Sequence, residues 1–329
     1  MASNSSKLHA LLLASLAVLS SPSQNARAQT YPSRPVRLLV AFAPGGTTDF
    51  VARLVADKTK DRLGQSIVVE NRPGANGAIA ADFVGKSEPD GYTLFFSTAG
   101  AIAINPSLRA DLPYDAARDF VPVAPVVRNT VLFAAGPSLK ADTAQDMVTL
   151  AREKPGAVTV AITGIGAISH LALELLQRAA GVSLRYVPYR GAGQAISDVI
   201  GGQVNAMSAD LPALIPQLRA GKVKGLAVAS KTRSDALPGA PTFTELGYGD
   251  VIAENWAAVL APARTPPAIV AKLNAAFNAA LNDPETRVRF AENGVSAMGG
   301  SPEELAALIA SEKARWSKAV REIGITVQP

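Results

Sequence analysis

Residues 36–50 read VRLLVAFAPGGTTDF, and this stretch decides the fold class. Its first seven residues are apolar except Arg37, as expected for a strand that protein covers on both faces. The segment Pro44-Gly45-Gly46 interrupts the strand, and apolar residues then return at helical spacing until Gly64, where the helix is expected to end. A strand, a glycine turn and a helix are the repeating unit of parallel α/β sheets.

The same unit recurs along the chain, which predicts an α/β protein. Residues 301–304 read SPEE, a capping box with proline at the first helical position, and they predict a C-terminal helix. Further strands are predicted at residues 67–69, 92–96, 158–162, 184–189, 204–207 and 225–229.

The first 28 residues have the pattern of a secretory signal peptide. Lys7 precedes a short apolar run at residues 10–19, and an Ala-Arg-Ala sequence follows at residues 26–28. The apolar run is too short to span a bilayer as a membrane anchor. We therefore predict cleavage after residue 28 and a periplasmic location.

The composition excludes several classes of function. The chain has no cysteine, which excludes disulfides, thiol nucleophiles and cysteine metal sites. Its basic residues are scattered, which gives a nucleic acid no surface to bind, although the net charge is +5. With His170 as the one histidine beyond the leader and no phosphate-binding glycine motif, we expect no metal and no cofactor.

The length favours two lobes, and two segments have the composition of connections between them. Residues 120–125 are apolar and punctuated by proline, and residues 230–243 are rich in Pro, Gly, Ser and Thr. Two connections make a hinge, with the ligand in the cleft between the lobes. We predict a signal peptide at 1–28, lobe 1 at 29–125 and 232–329, lobe 2 at 126–231, and a monomer.

Small and hydroxyl-bearing residues follow several predicted strands, where ligands sit in open α/β sheets. Taken singly, each of these loops could equally be an ordinary turn with a helix cap. Their repetition favours an anion site made of backbone N–H groups and hydroxyls. The candidate residues are Ala43, Pro44, Gly45, Gly46, Thr47, Thr48, Asp49, Ser97, Thr98, Ala99, Gly164, Gly166, Ser169, His170, Tyr189, Gly191, Ala192 and Asp210.

Three side chains leave alternatives open. His170 is interpreted as a packing or hydrogen-bonding residue rather than a general base, because no nucleophile motif accompanies it. Asp210 either caps the next turn, the interpretation we favour, or binds a hydroxyl or amine of the ligand. Arg190 either pairs with a second carboxylate of the ligand or is simply exposed.

The chain resembles the Bug family, the substrate-binding receptors of tripartite tricarboxylate transporters. The likeness covers nearly all of the chain beyond the leader. The segments that carry it include FAPGGTTD at 42–49, ENRPGA at 70–75, NPSL at 105–108, VPYRGAG at 187–193 and APARTPP at 261–267.

This resemblance implies a two-lobed Venus-flytrap fold of the type II periplasmic binding class. It implies a small carboxylate as ligand, held by main-chain N–H groups and water at residues 43–49, with the loops at 97–99, 164–170 and 189–192 completing the pocket. It also implies membrane transporter subunits as partners. The chain departs from the family pattern at Ala167, where Ser or Thr is frequent, and at Ala209, where the family often has the Asp found here one residue later.

We therefore interpret the chain as a receptor that captures a carboxylate for uptake and performs no chemistry on it. Two alternatives remain at this stage. A sensor that presents its ligand to a signalling protein would have the same fold and pocket. A secreted hydrolase using His170 would need a nucleophile that the sequence does not offer.

Overall fold

The computed structural model describes residues 31–325, so the predicted signal peptide lies outside the described residues. In this part of the chain the backbone forms ten strands. They are β1 (Val36–Val40), β2 (Ile67–Asn71), β3 (Thr93–Thr98), β4 (Phe120–Ala135), β5 (Thr159–Ile162), β6 (Arg185–Pro188), β7 (Ala206–Asp210), β8 (Lys224–Val228), β9 (Glu254–Pro262) and β10 (Ser296–Ala297).

Helices cover most of the connections between these strands. They are α1 (Thr47–Leu63), α2 (Ala78–Gly85), α3 (Asn105–Leu108), α4 (Ala144–Glu153), α5 (Ile168–Ala180), α6 (Ala192–Ile200), α7 (Leu211–Arg219), α8 (Pro267–Leu281), α9 (Pro284–Glu292) and α10 (Pro302–Ile323). A 3₁₀ turn at Ala75–Gly77 precedes α2, and a π-helical turn at Gly100–Ile104 precedes α3. None of the helices within residues 31–325 has the length and apolar character needed to cross a membrane.

The strands follow the order β2-β1-β3-β9-β4-β7-β5-β6, and β8 and β10 also pair with β4. Strand β1 runs parallel to β2 and β3, and β5 runs parallel to β6 and β7. The antiparallel pairs that the sequence did not predict all involve β4 or β9. The pairing of β4 with β9 arises because the chain leaves the group of strands β1, β2 and β3 along β4. It returns to this group along β9, in the opposite direction.

Strand β4 belongs to both groups of strands. Its residues 120–130 pair with β9, whereas its residues 131–135 pair with β7 and β8. The chain that returns after β8 passes beside the point where β4 changes partners, because Ala229 donates its N–H to the Val131 carbonyl at 2.8 Å. The predicted boundary between residues 125 and 126 lies inside β4, and the division into lobes stays a prediction.

The helix boundaries follow the local sequence signals. Helix α1 ends at Gly64, which adopts the left-handed conformation (φ 72°) and donates to the Lys60 carbonyl, as predicted. The predicted capping box of α10 is present, since Ser301 and Glu304 each accept the other's backbone N–H.

Strand β4 contributes side chains to two hydrophobic clusters, because successive residues of a strand face opposite ways. Phe133 packs in the larger cluster with Trp256 and Trp316, so both tryptophans lie in the core. Its neighbour Leu132 packs in the smaller cluster with Met207 and others. These two cores fix the strands whose carboxyl ends carry the candidate site.

Candidate functional site

A cavity of about 270 Å³ lies where the segments after β1, β2, β3, β5, β6 and β7 meet. Asn255, near the start of β9, completes its wall. Ligands bind at the carboxyl ends of strands in open α/β sheets, and this cavity occupies that position. The lining residues are Phe42, Ala43, Pro44, Gly46, Thr47, Thr48, Asn76, Thr98, Gly100, Thr163, Ala167, Ile168, Arg190, Gly191, Ala192, Gly193, Gln194, Asp210, Ala213 and Asn255.

Four helices begin at this cavity without a side-chain cap. The first N–H groups of a helix have no partner within the helix, and they give its N-terminus a partial positive charge. Elsewhere in the described residues, Thr143, Asp283 and Ser301 cap α4, α9 and α10, whereas α2, α3 and α8 have no side-chain cap. At the cavity the residues preceding α1, α5, α6 and α7 make no such bond, and they are Gly46, Ala167, Gly191 and Asp210.

The loops after β1 and β6 approach each other closely at Gly191. This residue has φ of 130°, a conformation that glycine adopts without strain. A Cβ atom placed on Gly191 would lie 3.9 Å from the Cβ of Ala43 in the opposite loop. The N-termini of α1 and α6 therefore both border the same small space, which is the arrangement expected for an anion site.

Four buried polar atoms on the cavity wall have no hydrogen-bond partner within the protein. They are Thr47 Oγ1, Asn76 Oδ1, Asp210 Oδ1 and Asn255 Oδ1. Buried polar atoms are normally paired, since leaving one unpaired costs about 1–3 kcal/mol. All four atoms belong to residues that line the cavity, so its wall carries polar side chains at these positions.

The Asp210 carboxyl is the acidic group on the cavity wall. Its Oδ2 accepts a hydrogen bond from Asn255 Nδ2 at 2.9 Å. Burial raises the pKa of Asp210 to about 6, although the neighbouring amides of Asn255 and Asn129 oppose this shift. Since the Asp210 side chain does not cap α7, the favoured interpretation as a simple cap is wrong, and the ligand-contact alternative fits its position.

The structure brings half of the predicted site residues into this cavity. Three more line a second cavity of about 630 Å³, which shares Phe42, Asn76, Thr163 and Arg190 with the first. Those in the first cavity are Ala43, Pro44, Gly46, Thr47, Thr48, Thr98, Gly191, Ala192 and Asp210; those in the second are Gly164, Gly166 and Tyr189.

The remaining predicted residues lie outside both linings, and several of them support the loops. Asp49 accepts hydrogen bonds from the Gly45 N–H at 3.1 Å, from Arg53 and from Asn71. Burial opposes ionisation of Asp49, but these hydrogen bonds outweigh it and hold its pKa below the ordinary value. Asp49 therefore holds the loop after β1 in place without lining the cavity itself. The residues outside the linings are Gly45, Asp49, Ser97, Ala99, Ser169 and His170.

His170 and Ser169 position the turn after β5. The His170 Nδ1 accepts the Gly166 N–H at 3.2 Å, and its buried ring packs edge-on against Tyr186 at 4.7 Å between centroids. The Ser169 Oγ accepts the Thr163 N–H at 3.1 Å. His170 thus has the packing and hydrogen-bonding role that the sequence favoured. No group of three or more His, Cys, Asp and Glu side chains that could hold a metal occurs within residues 31–325.

Sequence reasoning missed two asparagines of the site, Asn76 and Asn255. Asn255 is buried in a strand that is otherwise mostly apolar. A polar residue at such a position was the one sequence feature that could have marked it as a site residue. Asn76 has left-handed backbone (φ 50°, ψ 41°), which follows from the glycine-rich turn around it. Its Nδ2 donates to the Gly166 carbonyl at 2.9 Å and to Asn105 Oδ1 at 3.1 Å. Asn76 therefore joins the turn after β2 to the segments after β3 and β5.

Replacing Asn76 tests whether this connection stabilises the fold. We expect Asn76→Ala to lower the free energy of unfolding by about 2 kcal/mol, because it removes two hydrogen bonds and leaves a left-handed alanine. Asn76→Gly removes the same bonds but tolerates the backbone, so we expect about half that loss. Urea unfolding of both variants measures the difference. Equal stability of the Ala and Gly variants would show that the left-handed backbone carries no cost.

Comparison with known proteins agrees with this architecture. Residues 51–325 match the model of the TctC family, described as the tripartite tricarboxylate transporter family receptor. The chain is 39% identical to protein BugT of Bordetella pertussis over 298 residues, which cover 90% of this chain and 91% of BugT.

Two solved structures of similar proteins contain a bound acid. One is Rpa4515 of R. palustris with adipate, which is 36% identical with a TM-score of 0.87 and covers 90% of this chain and 99% of its own. The other is MatC of Rhodopseudomonas palustris with malate, which is 34% identical with a TM-score of 0.84 and covers 88% of this chain and 100% of its own. These matches confirm the predicted periplasmic-binding-protein fold. The chain belongs to the TctC family of solute-binding receptors, to which the Bug proteins are related, and it is not an enzyme.

Proposed function

We propose that this receptor binds a small carboxylate in the 270 Å³ cavity, through the N-termini of the helices that begin there. The observation that carries the proposal is the convergence of α1, α5, α6 and α7, all without side-chain caps, on one cavity. Backbone N–H groups at helix N-termini bind anions without a cationic side chain. Adipate in Rpa4515 and malate in MatC support a carboxylate as the ligand class.

The predicted lobes would close around this ligand. Carboxylate oxygens need paired donors when they leave water, so closure is favourable when loops from both lobes supply them. In support, the cavity wall includes Gly46 from the loop after β1 and Gly191 from the loop after β6. Strand β4 and the chain around Ala229 would serve as the hinge, because they connect the two groups of strands.

The family description supports delivery of the ligand to a membrane transporter of the tripartite tricarboxylate type. Export by the leader at residues 1–28 would place the receptor in the periplasm as a monomer. A strain that lacks the receptor should then fail to take up its ligand. Normal uptake together with loss of a transcriptional response would instead identify a sensor.

A thermal-shift screen of the purified protein tests the ligand class. We expect a carboxylate at a hundred times its dissociation constant to stabilise the fold by about 2.7 kcal/mol, which corresponds to a rise in Tm of roughly 4 °C. Organic acids, amino acids and aromatic carboxylates form the screen, and the amide of each hit is the matched uncharged control. A Tm rise that the amides reproduce in full would contradict recognition of a carboxylate.

A further inference from the structure

Asn76 lies where the 270 Å³ cavity meets the second cavity of about 630 Å³. It lines both cavities, as do Phe42, Thr163 and Arg190. Its Nδ2 donates to the carbonyl of Gly166, which lies in the turn between β5 and α5 and lines the second cavity. This hydrogen bond therefore spans the boundary between the two cavities, from the turn after β2 to the turn after β5.

Each partner of this bond is held in place by its own group of strands. The buried Asn105 donates its Nδ2 to the Ala75 and Asn76 carbonyls at 3.2 and 3.3 Å, and its Oδ1 accepts from Asn76 Nδ2 at 3.1 Å. On the opposite side, the Gly166 N–H donates to the buried ring of His170 at 3.2 Å. Because each partner is tied to its own side, separation of the two turns breaks the bond between them.

The second cavity reaches the surface between the same two turns. Ile79, at the start of α2, and Ile165, in the turn after β5, line it and are 53% and 46% exposed. The charged residues of its lining are Arg109, which pairs with Asp111 at 3.3 Å, and the exposed Arg190. No carboxylate of this lining repels an anion, so the second cavity is a suitable passage for the ligand.

A glycine provides the space that the Asn76 side chain occupies. A Cβ atom placed on Gly100 would lie 2.5 Å from Asn76 Oδ1 and 2.8 Å from Asn76 Nδ2, well inside the contact distance of non-bonded atoms. The φ of Gly100 is not positive, so its backbone accommodates alanine. The added methyl group would displace the Asn76 amide, and the bond to Gly166 would be lost with it.

We propose that Asn76 is a positioning residue that retains the bound ligand, because its bond to Gly166 must break before the ligand leaves through the second cavity. The inference rests on the proposed function, since it assumes that a carboxylate occupies the 270 Å³ cavity. It assigns the second cavity as the route of the ligand, and the turns after β2 and β5 as the two sides that part. Asn76 acts on release through the Gly166 carbonyl and needs no contact with the ligand.

The dissociation rate constant of the best carboxylate from the thermal-shift screen tests the inference. It is measured by stopped flow after dilution of the complex. We expect Asn76→Gly to raise this rate constant roughly 2- to 10-fold, which is the range that loss of one hydrogen bond gives. Glycine adopts the left-handed backbone of Asn76 without strain, so the variant keeps the fold.

Ala75→Gly is the matched control. Ala75 is also left-handed, with φ of 47°, so this variant gains the same backbone freedom while the Asn76 amide stays in place. An unchanged dissociation rate in Asn76→Gly, or an equal rise in Ala75→Gly, would overturn the inference and leave the proposed function standing. Failure of the wild type to bind any carboxylate would overturn both.

Gly100→Ala tests the same bond from a second position. We expect it to raise the dissociation rate constant to a similar extent, because it displaces the Asn76 amide. Gly100 also lines the 270 Å³ cavity, so a direct contact of its methyl group with the ligand has to be separated from this effect. The double variant Asn76→Gly, Gly100→Ala should release the ligand as fast as Asn76→Gly alone. A further rise by the same factor in the double variant would overturn the action of Gly100→Ala through Asn76.

Discussion

Gly46→Val is expected to cut the ligand-induced rise in Tm by about half or more, while leaving the unliganded protein folded. Gly46 has φ of −89° and ψ of 174°, an extended conformation that valine adopts readily. The nearest atom to a Cβ at this position is the Ala43 carbonyl oxygen at 3.9 Å, so the new side chain would occupy the open space of the cavity. It would shield the first N–H groups of α1, and loss of one hydrogen bond to a charged group weakens binding by roughly 10- to 150-fold.

The measurement is a titration of each protein with the best carboxylate from the thermal-shift screen. Gly249→Val serves as the matched control, because Gly249 is exposed, its φ is not positive and no atom lies within 4 Å of its added Cβ. We expect the control to keep both its Tm and its affinity. An unchanged affinity in Gly46→Val would remove the loop after β1 from the binding site.

Asp210→Asn is expected to stabilise the unliganded protein at neutral pH. Burial raises the pKa of Asp210 to about 6, from an ordinary value of 3.8. The folded protein therefore keeps a proton that the unfolded chain loses between pH 4 and 6, and stability contributed by this group falls as the pH rises through that window. At pH 7 the ionised Asp210 costs roughly 2–3 kcal/mol, and Asp210→Asn removes this cost.

Urea unfolding of the wild type and the variant at pH 4, 5, 6 and 7 tests this expectation. The difference in unfolding free energy should grow with pH and nearly vanish at pH 4. Asp146→Asn provides a comparison of opposite sign, because hydrogen bonds from Thr143 and from the backbone lower the pKa of Asp146. Its variant should lose stability at pH 7, by an amount that shrinks as the pH falls. A difference for Asp210→Asn that stays constant across this range would show that ionisation of Asp210 does not destabilise the folded protein.

Much of the local structure could be predicted because its signals are local. The apolar run before Pro44, the helical spacing after Gly46 and the left-handed stop at Gly64 fixed one complete unit of strand and helix. Strand β4 was harder. Its prolines at the start resemble a linker, yet residues 120–130 form a strand along β9, because backbone pairing with a distant segment overrides local punctuation.

The residues of the site likewise divide into those that have a local sequence signal and those that have none. Gly46, Thr47 and Thr48 stand directly after a strand, and the repetition of such loops along the chain predicted their place at the cavity. Asn76 and Asn255 carry no such signal, and they reach the cavity only because the fold brings distant segments together. His170 lies in a candidate loop by sequence, but its ring is buried outside both cavity linings and packs against Tyr186.

The sequence by itself determined the alternation of strands and helices and the resemblance to a receptor family, because both depend on residues close together in the chain. Only the tertiary structure decided which oxygens remain unpaired at the cavity and how Asp210 is held beside Asn255. Burial, charge and hydrogen-bond satisfaction depend on neighbours that are distant in sequence.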